Sequence, residues 1–454
     1  MNLTSPRAQE ASRIVHNLRR HGYSAYLVGG CVRDLVLGRE PADYDVATSA
    51  TPQDVMRLFP LTYAVGAQFG VVLVPVRQDS PDGTRDNYSI EVATYRSDGA
   101  YSDGRHPDQV QFSAEARLDV QRRDFTINGL LLDPEGKEVL DYVGGLDDLK
   151  RNIIRTIGDP HLRFDEDKLR MLRAVRFAAR FGYEIDQPTF IAIRERAAQI
   201  HQVSRERIRD EILKMLTEGR AKRAFELLDE TGLLEQVLPE IKKMQGVQQP
   251  PEYHPEGDVW VHTLLLLEGL PAGCSKTLAL GVLLHDVGKP PTFQVLDRIR
   301  FNQHAEIGTL MAQEICRRFR MSNEETEQVC ALVANHMRFG DVMRMKESTL
   351  KRFLRLPKFD EHLSLHRLDC LSSHRDLTLY EFAKDKFETM PAEQVRPSPL
   401  INGNDLIAAG FQPGPQFKEW LTAVEDAQLE GTISTKEEAM ALVKSKAAIS
   451  TPLP

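Results

Sequence analysis

The period of hydrophobic and polar positions changes about one third of the way along the chain. Residues 10–150 alternate short runs rich in β-branched and aromatic residues with stretches of helical spacing. From about residue 160 onward, almost every apolar position recurs at helical spacing. The pattern predicts an α+β protein with an N-terminal α/β head followed by an all-helical remainder.

Residues with known helix-capping preferences mark where several of these elements begin and end. Thr51 before Pro52 predicts a helix N-cap with proline in the first turn. The helical stretch LRMLRAVRFAARFG ends at Gly182, a predicted C-terminal glycine, and Pro188 restarts the chain.

Two proline-rich, polar stretches mark the clearest boundaries between larger segments. They are QQPPEYHPEGD (248–258) and RPSPLINGNDLIAAGFQPGPQ (396–416). Together with the change of period, they predict four segments: a head over 1–150, a helical neck over 151–247, a second helical unit over 248–390, and a helical tail over 391–454.

Composition and charge place few restrictions on function. The chain has 454 residues and a net charge of −8, which does not favour a polyanionic partner, but arginines are concentrated between Arg151 and Arg209. Its five cysteines show no CxxC spacing, and no apolar run is long enough to span a bilayer. We therefore expect a cytoplasmic protein that does not enter a membrane.

The most informative chemistry lies in YLVGGCVRDLVLGREPADYDVAT. Asp43 and Asp45 are two residues apart in a predicted strand, so both carboxylates project from the same face. Like charges at that distance repel, and a divalent cation such as Mg²⁺ between them removes the repulsion. We interpret Asp43 and Asp45 as catalytic metal ligands.

A double glycine lies just upstream of these acids. Gly29 and Gly30 follow an apolar strand and open a short helix, where backbone N–H groups can approach a phosphate. Arg33 on that helix is a candidate triphosphate ligand, and the alternative is a surface pair with Asp34. Metal acids and a phosphate-binding turn together favour nucleotidyl transfer by a two-metal mechanism over a glycine-rich turn beside unrelated surface acids.

A third carboxylate is expected at a two-metal site. Glu91 in the strand YSIEVATYR is the candidate, and the alternative is a strand residue that faces solvent. It completes a predicted catalytic set with Asp43 and Asp45.

The segment RRDFTINGLLLD is predicted to be a helix that contacts the nucleotide. Asp124 and Asn128 are four residues apart and share a face, where a carboxylate and an amide can hydrogen-bond both ribose hydroxyls. Arg123 lies on the same predicted helix. The alternative is a solvated charged face.

A third motif, EDxxR, has the chemistry needed to select a base. Asp167 and Arg170 are three residues apart, hence neighbours on a helix. A carboxylate accepts from an exocyclic amine and arginine donates to ring or carbonyl acceptors, so one pair can serve both cytosine and adenine. The alternative is an intrahelical salt bridge. Arg173 and Arg176 continue the arginine-rich helix as candidate nucleotide or RNA ligands.

The second helical unit carries a separate set of candidate metal ligands. Its centre is GVLLHDVGKP (281–290), an apolar helix that ends in His-Asp. Imidazole and carboxylate suit a transition or borderline divalent ion of uncertain identity. His254 and His366 lie close by in the sequence, and we interpret them as bystanders. The predicted ligands are His262, His285, Asp286, His304, His336 and Asp369.

Taken together, the motifs of the first 190 residues resemble those of the class II nucleotidyltransferases, which comprise bacterial tRNA CCA-adding enzymes and their poly(A) polymerase relatives. The second set resembles the HD-type metal phosphohydrolases. The resemblance implies a polymerase-β-like head and template-independent addition of CCA to tRNA 3′ ends from CTP and ATP. It also implies that the helix carrying Arg123, Asp124 and Asn128 contacts the sugar and phosphates of the nucleotide, and that Asp167 and Arg170 act as a protein template. In some members, the HD unit carries phosphatase or cyclic phosphodiesterase activity.

Other functions remain open at this point. A poly(A) polymerase, or an enzyme that adds only CC or only A, is the nearest alternative. The stretch 66–70 and the loop 96–107 favour full CCA addition, since both resemble the CCA-adding type. A metal phosphohydrolase with an RNA-binding head is the alternative from another class, and an inactive RNA-binding module is a third. The sequence predicts no oligomeric state.

Overall fold

The computed structural model describes residues 2–64, 69–79, 85–98 and 110–450. The chain forms two compact units, residues 1–239 and residues 240–454. The first is mixed α/β with helices following the head, and the second is almost wholly helical. This agrees with the predicted α+β class. The predicted division into four segments remains a prediction.

The first unit is built on a six-stranded sheet whose strand order is β3-β4-β2-β1-β7-β8. Strand β2 runs parallel to β4, and the other neighbouring pairs in the sheet are antiparallel. Two small two-stranded pairs, β5 with β6 and β9 with β10, lie outside it. The strands of this unit are β1 (Ala25–Val28), β2 (Asp45–Thr48), β3 (Val71–Asp79), β4 (Arg85–Thr94), β5 (Arg96–Asp98), β6 (Val110–Phe112), β7 (Leu130–Asp133), β8 (Glu138–Asp141), β9 (Ile153–Ile154) and β10 (Glu184–Ile185).

Helices cover this sheet and then continue as the helical part of the unit. The prediction at Thr51 is confirmed: its side chain accepts from the backbone N–H of Asp54, which returns a hydrogen bond in a capping box. Gly182 adopts a φ of +69° directly after a helix, as predicted. The helices are α1 (Pro6–Arg20), α2 (Gly30–Val36), α3 (Pro52–Leu58), α4 (Ala116–Gln121), α5 (Gly145–Arg151), α6 (Pro160–Glu166), α7 (Leu169–Phe181), α8 (Gln187–Arg196), α9 (Arg205–Thr217), α10 (Ala221–Glu230) and α11 (Leu233–Val237).

The second unit packs helices around apolar clusters, one of which is centred on Phe339, Phe353 and Phe359. A separate cluster around Trp420 and Leu406 holds the last helices together. Helix α12 (Pro239–Lys242) begins at the last residue of the first unit. The further elements of the second unit are α13 (Val259–Glu268), α14 (Lys276–Leu284), α15 (Lys289–Thr292), β11 (Gln294–Val295), β12 (Ile299–Arg300), α16 (His304–Arg318), α17 (Asn323–Asn335), α18 (Glu347–Leu354), α19 (Phe359–Ser372), α20 (Thr378–Thr389), α21 (Ala392–Val395), α22 (Gly403–Ala408), α23 (Gln416–Leu429) and α24 (Lys436–Ser450). Within the described ranges, every helix is too short or too polar to cross a membrane.

Candidate active site and metal centre

Two of the predicted catalytic acids lie side by side in the sheet of the first unit. Asp45 is the first residue of β2, and Glu91 is its register partner on the parallel strand β4. Because side chains at paired positions point to the same face, both carboxylates lie on one face of the sheet. Asp43 differs from expectation, since β2 begins only at Asp45 and Asp43 lies in the preceding loop with an exposed side chain.

The electrostatics of Asp45 fit a bound cation. Burial and the neighbouring Glu91 raise the pKa of the Asp45 carboxyl to about 6, with a smaller contribution from Asp43, while Arg123 opposes the shift. Carboxylates that hinder one another's ionisation are stabilised by a divalent ion placed between them. An all-oxygen donor set of this kind suits Mg²⁺.

Gly29 lies against these groups, and its backbone explains why glycine occurs there. Its φ of +79° is a conformation that L side chains rarely adopt. A Cβ at this position would lie 3.4 Å from Nη1 of Arg123 and 4.0 Å from Oδ2 of Asp45. The double glycine therefore brings the start of α2 close to the acids, with Gly30 as the first residue of that helix.

Arg33 is buried, and its guanidinium already has partners in the protein. Its Nε donates to Oδ1 of Asp34 at 2.9 Å, and its Nη1 donates to Oδ1 of Asn128 at 2.7 Å. The ring of Phe181 packs 4.6 Å from the guanidinium carbon. The pair with Asp34, which is the alternative from the sequence, is therefore present. It is buried, whereas the sequence predicted it on the surface. Binding of triphosphate by Arg33 stays a prediction.

The expected helix over residues 122–128 is not formed. Helix α4 ends at Gln121, and Thr126–Asn128 form a separate 3-10 turn, because Asp124 bonds the backbone N–H of Phe125 and so competes with a helix. Asp124 and Asn128 still meet, since Nδ2 of Asn128 donates to Oδ1 of Asp124 at 3.2 Å.

Asp124 is held by an arginine of the following helical segment. Although burial disfavours its charged form, Arg173 lowers the pKa of the Asp124 carboxyl, and Nη2 of Arg173 donates to Oδ2 at 2.6 Å. The carboxylate is therefore ionised and oriented before any ligand binds.

The EDxxR motif lies at a break between two helices rather than inside one. Asp167 follows α6 in extended backbone and accepts from the backbone N–H of Leu169 at 3.0 Å, so it precedes α7. The expectation that Asp167 and Arg170 are neighbours on one helix is wrong for this reason. Arg170 pairs with Glu166 instead, and Arg207 of α9 donates to Oδ2 of Asp167 at 2.7 Å.

Arg176 differs most from its predicted role as a nucleotide or RNA ligand. Its side chain is buried, and Nε donates to Oε2 of Glu211 at 2.7 Å. Glu218 lies 3.3 Å from Nη1 of Arg176 and 3.4 Å from Nη1 of Arg180. Arg176 thus joins α7 to α9 instead of facing outward.

Most of these groups line one cavity of about 650 Å³, although Glu91 is not among its lining residues. The cavity is rich in arginine although the whole chain carries a net negative charge, so its local field suits a polyphosphate. Its polar lining comprises Gly29, Gly30, Arg33, Asp34, Asp43, Asp45, Arg122, Arg123, Asp124, Asn128, Asp167, Arg170, Arg173, Arg176, Arg180 and Arg207.

Sequence reasoning missed two residues of this region. Asp119 is buried and accepts from both Arg122 and Arg123, at 2.6 and 3.0 Å. Its spacing of three and four residues from them was a usable signal. Arg207 lies forty residues after Asp167, and no local pattern joins the two.

Most of the two segments that favoured CCA addition lies outside the described residues. Of the stretch 66–70 only Phe69 and Gly70 are described, and of the loop 96–107 only Arg96–Asp98, as β5. Their predicted roles are therefore not tested by the structure.

In the second unit, the six predicted metal ligands come together from five places in the sequence. Nε2 of His262 lies 3.1 Å from Oδ1 of Asp369, and Nε2 of His304 and of His336 each lie 3.7 Å from Oδ1 of Asp286. The ligand atoms of His262, His285 and Asp369 lie within 4.8 Å of one another. The same holds for the ligand atoms of Asp286, His304 and His336.

Three of these imidazoles are oriented by the backbone that directly precedes them. Nδ1 of His285, His304 and His336 lies 2.8, 2.9 and 2.6 Å from the carbonyl oxygen of the residue three positions earlier. A carbonyl only accepts, so Nδ1 carries the proton and Nε2 presents a lone pair.

Lone pairs facing one another identify a cation site. Nε2 of His304 and Nε2 of His336 are 3.2 Å apart, and Nε2 of His285 and Nε2 of His262 are 3.4 Å apart. Because His304 and His336 both present lone pairs, their Nε2 atoms repel one another unless a cation lies between them. With the carboxylates of Asp286 and Asp369 added, the donor set fits a divalent transition ion.

The two histidines interpreted as bystanders have different surroundings. His366 stacks on Phe339 with ring centres 4.2 Å apart, which agrees with a packing role. His254 differs, because its Nδ1 lies 2.8 Å from Oε1 of Glu256, which also lies 2.7 Å from Nδ1 of His262. Glu256 was not among the predicted residues.

Comparisons with known proteins match the head and two helical segments of the chain. Residues 25–155 match the family "Poly A polymerase head domain", residues 182–245 match "Probable RNA and SrmB- binding site of polymerase A", and residues 300–443 match "tRNA nucleotidyltransferase domain 2 putative". A CCA-adding enzyme of Enterococcus faecalis is 30% identical over 435 residues, which cover 95% of this chain and 94% of that protein. The chain belongs to the CCA-adding enzyme family.

Other members of the CCA-adding enzyme family resemble parts or all of the chain. The enzyme of Geobacillus sp. (strain WCH70) is 46% identical over 225 residues, 50% of this chain and 53% of the relative, so there the chain spans about half the length of the relative it matches. A crystal structure of the Bacillus stearothermophilus CCA-adding enzyme in complex with CTP superposes with a TM-score of 0.74 at 28% identity, covering 98% of this chain and 99% of that chain. Nucleotidyltransferases of this family use divalent metal ions.

Proposed function

We propose that the chain adds C, C and A in turn to the 3′ end of tRNA, with CTP and ATP as substrates. The observation that carries the proposal is the single arginine-rich cavity that holds Asp45 and Asp43 together with Asp124, Asp167 and Arg170. Metal acids, a sugar-facing acid and a base-reading pair in one cavity are the parts that nucleotide addition requires.

The residues have separate roles in this proposal. Asp43, Asp45 and Glu91 hold Mg²⁺, which supplies charge neutralisation for the triphosphate and activation of the RNA 3′-hydroxyl. Asp124 accepts hydrogen bonds from the ribose hydroxyls, and Arg123 beside Gly29 binds phosphate. Asp167 and Arg170 bond the edge of the incoming base, which lets the protein choose a nucleotide without a nucleic-acid template.

The order of products distinguishes CCA addition from its nearest alternatives. Purified protein is incubated with tRNA lacking its last three nucleotides and with CTP alone, ATP alone, or both. We expect two added nucleotides with CTP alone and three with both. Addition that continues past the first A would favour a poly(A) polymerase, and a product that stops after CC would favour a partial enzyme.

Substitution of a metal ligand tests which residues perform the addition. Asp45→Asn is expected to lower the rate about a thousandfold, since metal ions contribute several kcal/mol of transition-state stabilisation. The matched control is Asp147→Asn, because Asp147 is an exposed aspartate on α5. Equal rates in both variants would contradict the role of Asp45.

A second candidate function is metal-dependent phosphohydrolysis in the second unit. It is favoured by the facing Nε2 atoms and by a cavity of about 590 Å³ whose lining includes Lys289, Arg298 and Arg300 beside the metal ligands. Basic side chains beside a divalent ion suit a phosphoester substrate. His285→Ala is expected to abolish hydrolysis and spare nucleotide addition, whereas Asp45→Asn has the opposite effect. Loss of both activities in either variant would contradict two independent sites.

A further inference from the structure

The orientation of His262 is set differently from that of the other three imidazoles in the second unit. His285, His304 and His336 are each fixed through Nδ1 by the backbone carbonyl of the residue three positions earlier. His262 instead has its Nδ1 2.7 Å from the carboxylate oxygen Oε1 of Glu256. A carboxylate therefore takes the place that a neutral carbonyl has at the other three rings.

The two nitrogens of His262 face different groups. Its ring is completely buried, with Nε2 at 3.1 Å from Oδ1 of Asp369 and at 3.4 Å from Nε2 of His285. Nδ1 is turned away from the ligand cluster and toward Glu256. At 2.7 Å the two groups are in ion-pair contact, although the angles are not those of a hydrogen bond. The negative charge of Glu256 favours a proton on Nδ1, which leaves Nε2 facing the cluster.

The segment that carries Glu256 is fixed to the start of α13. Gly257 has a φ of +90°, and the backbone N–H of Gln249 donates to its carbonyl at 2.8 Å. Asp258 then caps α13 by accepting from the backbone N–H of Trp260 at 2.8 Å. The cap places the backbone of Glu256 directly before the helix that carries His262, so the carboxylate can reach the imidazole.

We propose that Glu256 is a positioning residue for the metal centre of the second unit, holding His262 in the tautomer and ring orientation that make Nε2 a ligand. The inference rests on the proposed metal-binding function of this unit. Glu256 side-chain atoms are buried, and Oε2 has no hydrogen-bond partner among the described residues, so its contacts are concentrated on the imidazoles of His262 and His254. A carboxylate on the far side of a ligating imidazole raises the basicity of the ligand and its metal affinity.

Metal binding, measured without any substrate, tests this role. The full chain is freed of metal with a chelator and titrated with Co²⁺ alone, followed by calorimetry and by the visible absorption of the ion. Glu256→Ala is expected to weaken Co²⁺ binding about 10- to 100-fold. Glu256→Gln keeps an acceptor oxygen and is expected to recover part of that loss. Glu252→Gln is the matched control, because Glu252 is an exposed glutamate in the same segment.

The outcomes separate the role of Glu256 from the existence of the centre. If metal-free Glu256→Ala and Glu256→Gln unfold at the same temperature as the wild type but bind Co²⁺ more weakly, the result supports a positioning role for Glu256. Wild-type affinity in Glu256→Ala overturns it. If Glu256→Ala binds one Co²⁺ ion per chain fewer than the wild type, the positioning role is also overturned, because Glu256 would then be a ligand together with His254. If wild type and His285→Ala bind Co²⁺ equally, the metal centre itself is absent and the proposal falls with it.

Discussion

Arg207 and Asp167 form a two-point ion pair between residues forty positions apart. Nη2 of Arg207 lies 2.7 Å from Oδ2 of Asp167, and Nη1 lies 3.2 Å from Oδ1. Asp167 is outside any helix, so its direction depends on Arg207 and on the backbone N–H of Leu169 rather than on helical geometry. The proposed base-reading carboxylate is therefore oriented from α9.

Removal of Arg207 is expected to impair nucleotide choice more than nucleotide addition. Arg207→Ala frees the Asp167 carboxylate, and we expect the ratio of kcat/KM for CTP over ATP at the first position to fall about tenfold, the value of one charge-assisted hydrogen bond. Arg209→Ala, whose arginine pairs with the adjacent Asp210 on α9, is the control. An unchanged ratio in Arg207→Ala would show that Arg207 does not orient the base reader.

Asp124 is expected to discriminate ribose from deoxyribose. Asp124→Ala removes an ionised acceptor, so the preference for CTP over dCTP should fall about tenfold, as measured by kcat/KM for each nucleotide. Asp210→Ala removes an exposed carboxylate on α9 and should leave the preference unchanged. Equal discrimination in wild type and Asp124→Ala would exclude this role.

The buried pair between Arg176 and Glu211 is expected to stabilise the first unit. Glu211→Ala leaves a buried guanidinium without its main partner, which should lower the free energy of unfolding by about 3–5 kcal/mol. Amide hydrogen exchange in α7 and α9 measures this unit directly. The half-exposed Glu230, which pairs with Arg223, is the control, and its replacement by Ala should cost about 0–1 kcal/mol. Similar losses in both variants would contradict the assignment.

His362 is expected to make the second unit acid-sensitive. Burial lowers the pKa of His362 from its ordinary 6.5 to about 4, and nearby Asp360 offsets only part of the effect. Between these values the unfolded chain binds a proton that the folded chain does not, so stability is complete above pH 6.5 and falls as the pH is lowered toward 4.

The titration of His362 should account for about 3 kcal/mol of the unfolding free energy that is lost between pH 7 and pH 4, and His362→Leu should remove this contribution. Denaturant unfolding at a series of pH values measures it, and the exposed His21 replaced by Gln serves as the control. The same pH profile in wild type and His362→Leu would mean that the histidine titrates normally in the folded protein. The buried His366 and His336, whose pKa values are also lowered, account for residual acid sensitivity.

Local patterns predicted most of the architecture. The change of period separated the α/β head from the helical remainder, and the capping signals at Thr51 and Gly182 identified true helix ends. These succeeded because they depend on interactions within a few residues. The helix over 122–128 failed because Asp124 bonds its own neighbouring backbone and interrupts the helical hydrogen bonds.

The composition of the candidate site was more predictable than its connections. Residue types and spacing pointed to Asp45, Glu91 and Asp167, which the structure places at or beside the head cavity. The pairs that orient these groups, such as Asp124 with Arg173 and Asp167 with Arg207, join residues about forty to fifty positions apart. Such pairs follow from tertiary packing, and no sequence period encodes them.

The carbonyl contacts of His285, His304 and His336 have a consequence for how an ion enters and leaves the second unit. Rings held by the backbone three residues before them are already oriented, so binding an ion requires little rearrangement of the chain. We therefore expect chelation and reloading to be reversible, with circular dichroism spectra that superimpose before and after. The metal centre would then be preorganised, and the second unit would keep its fold with or without a bound ion.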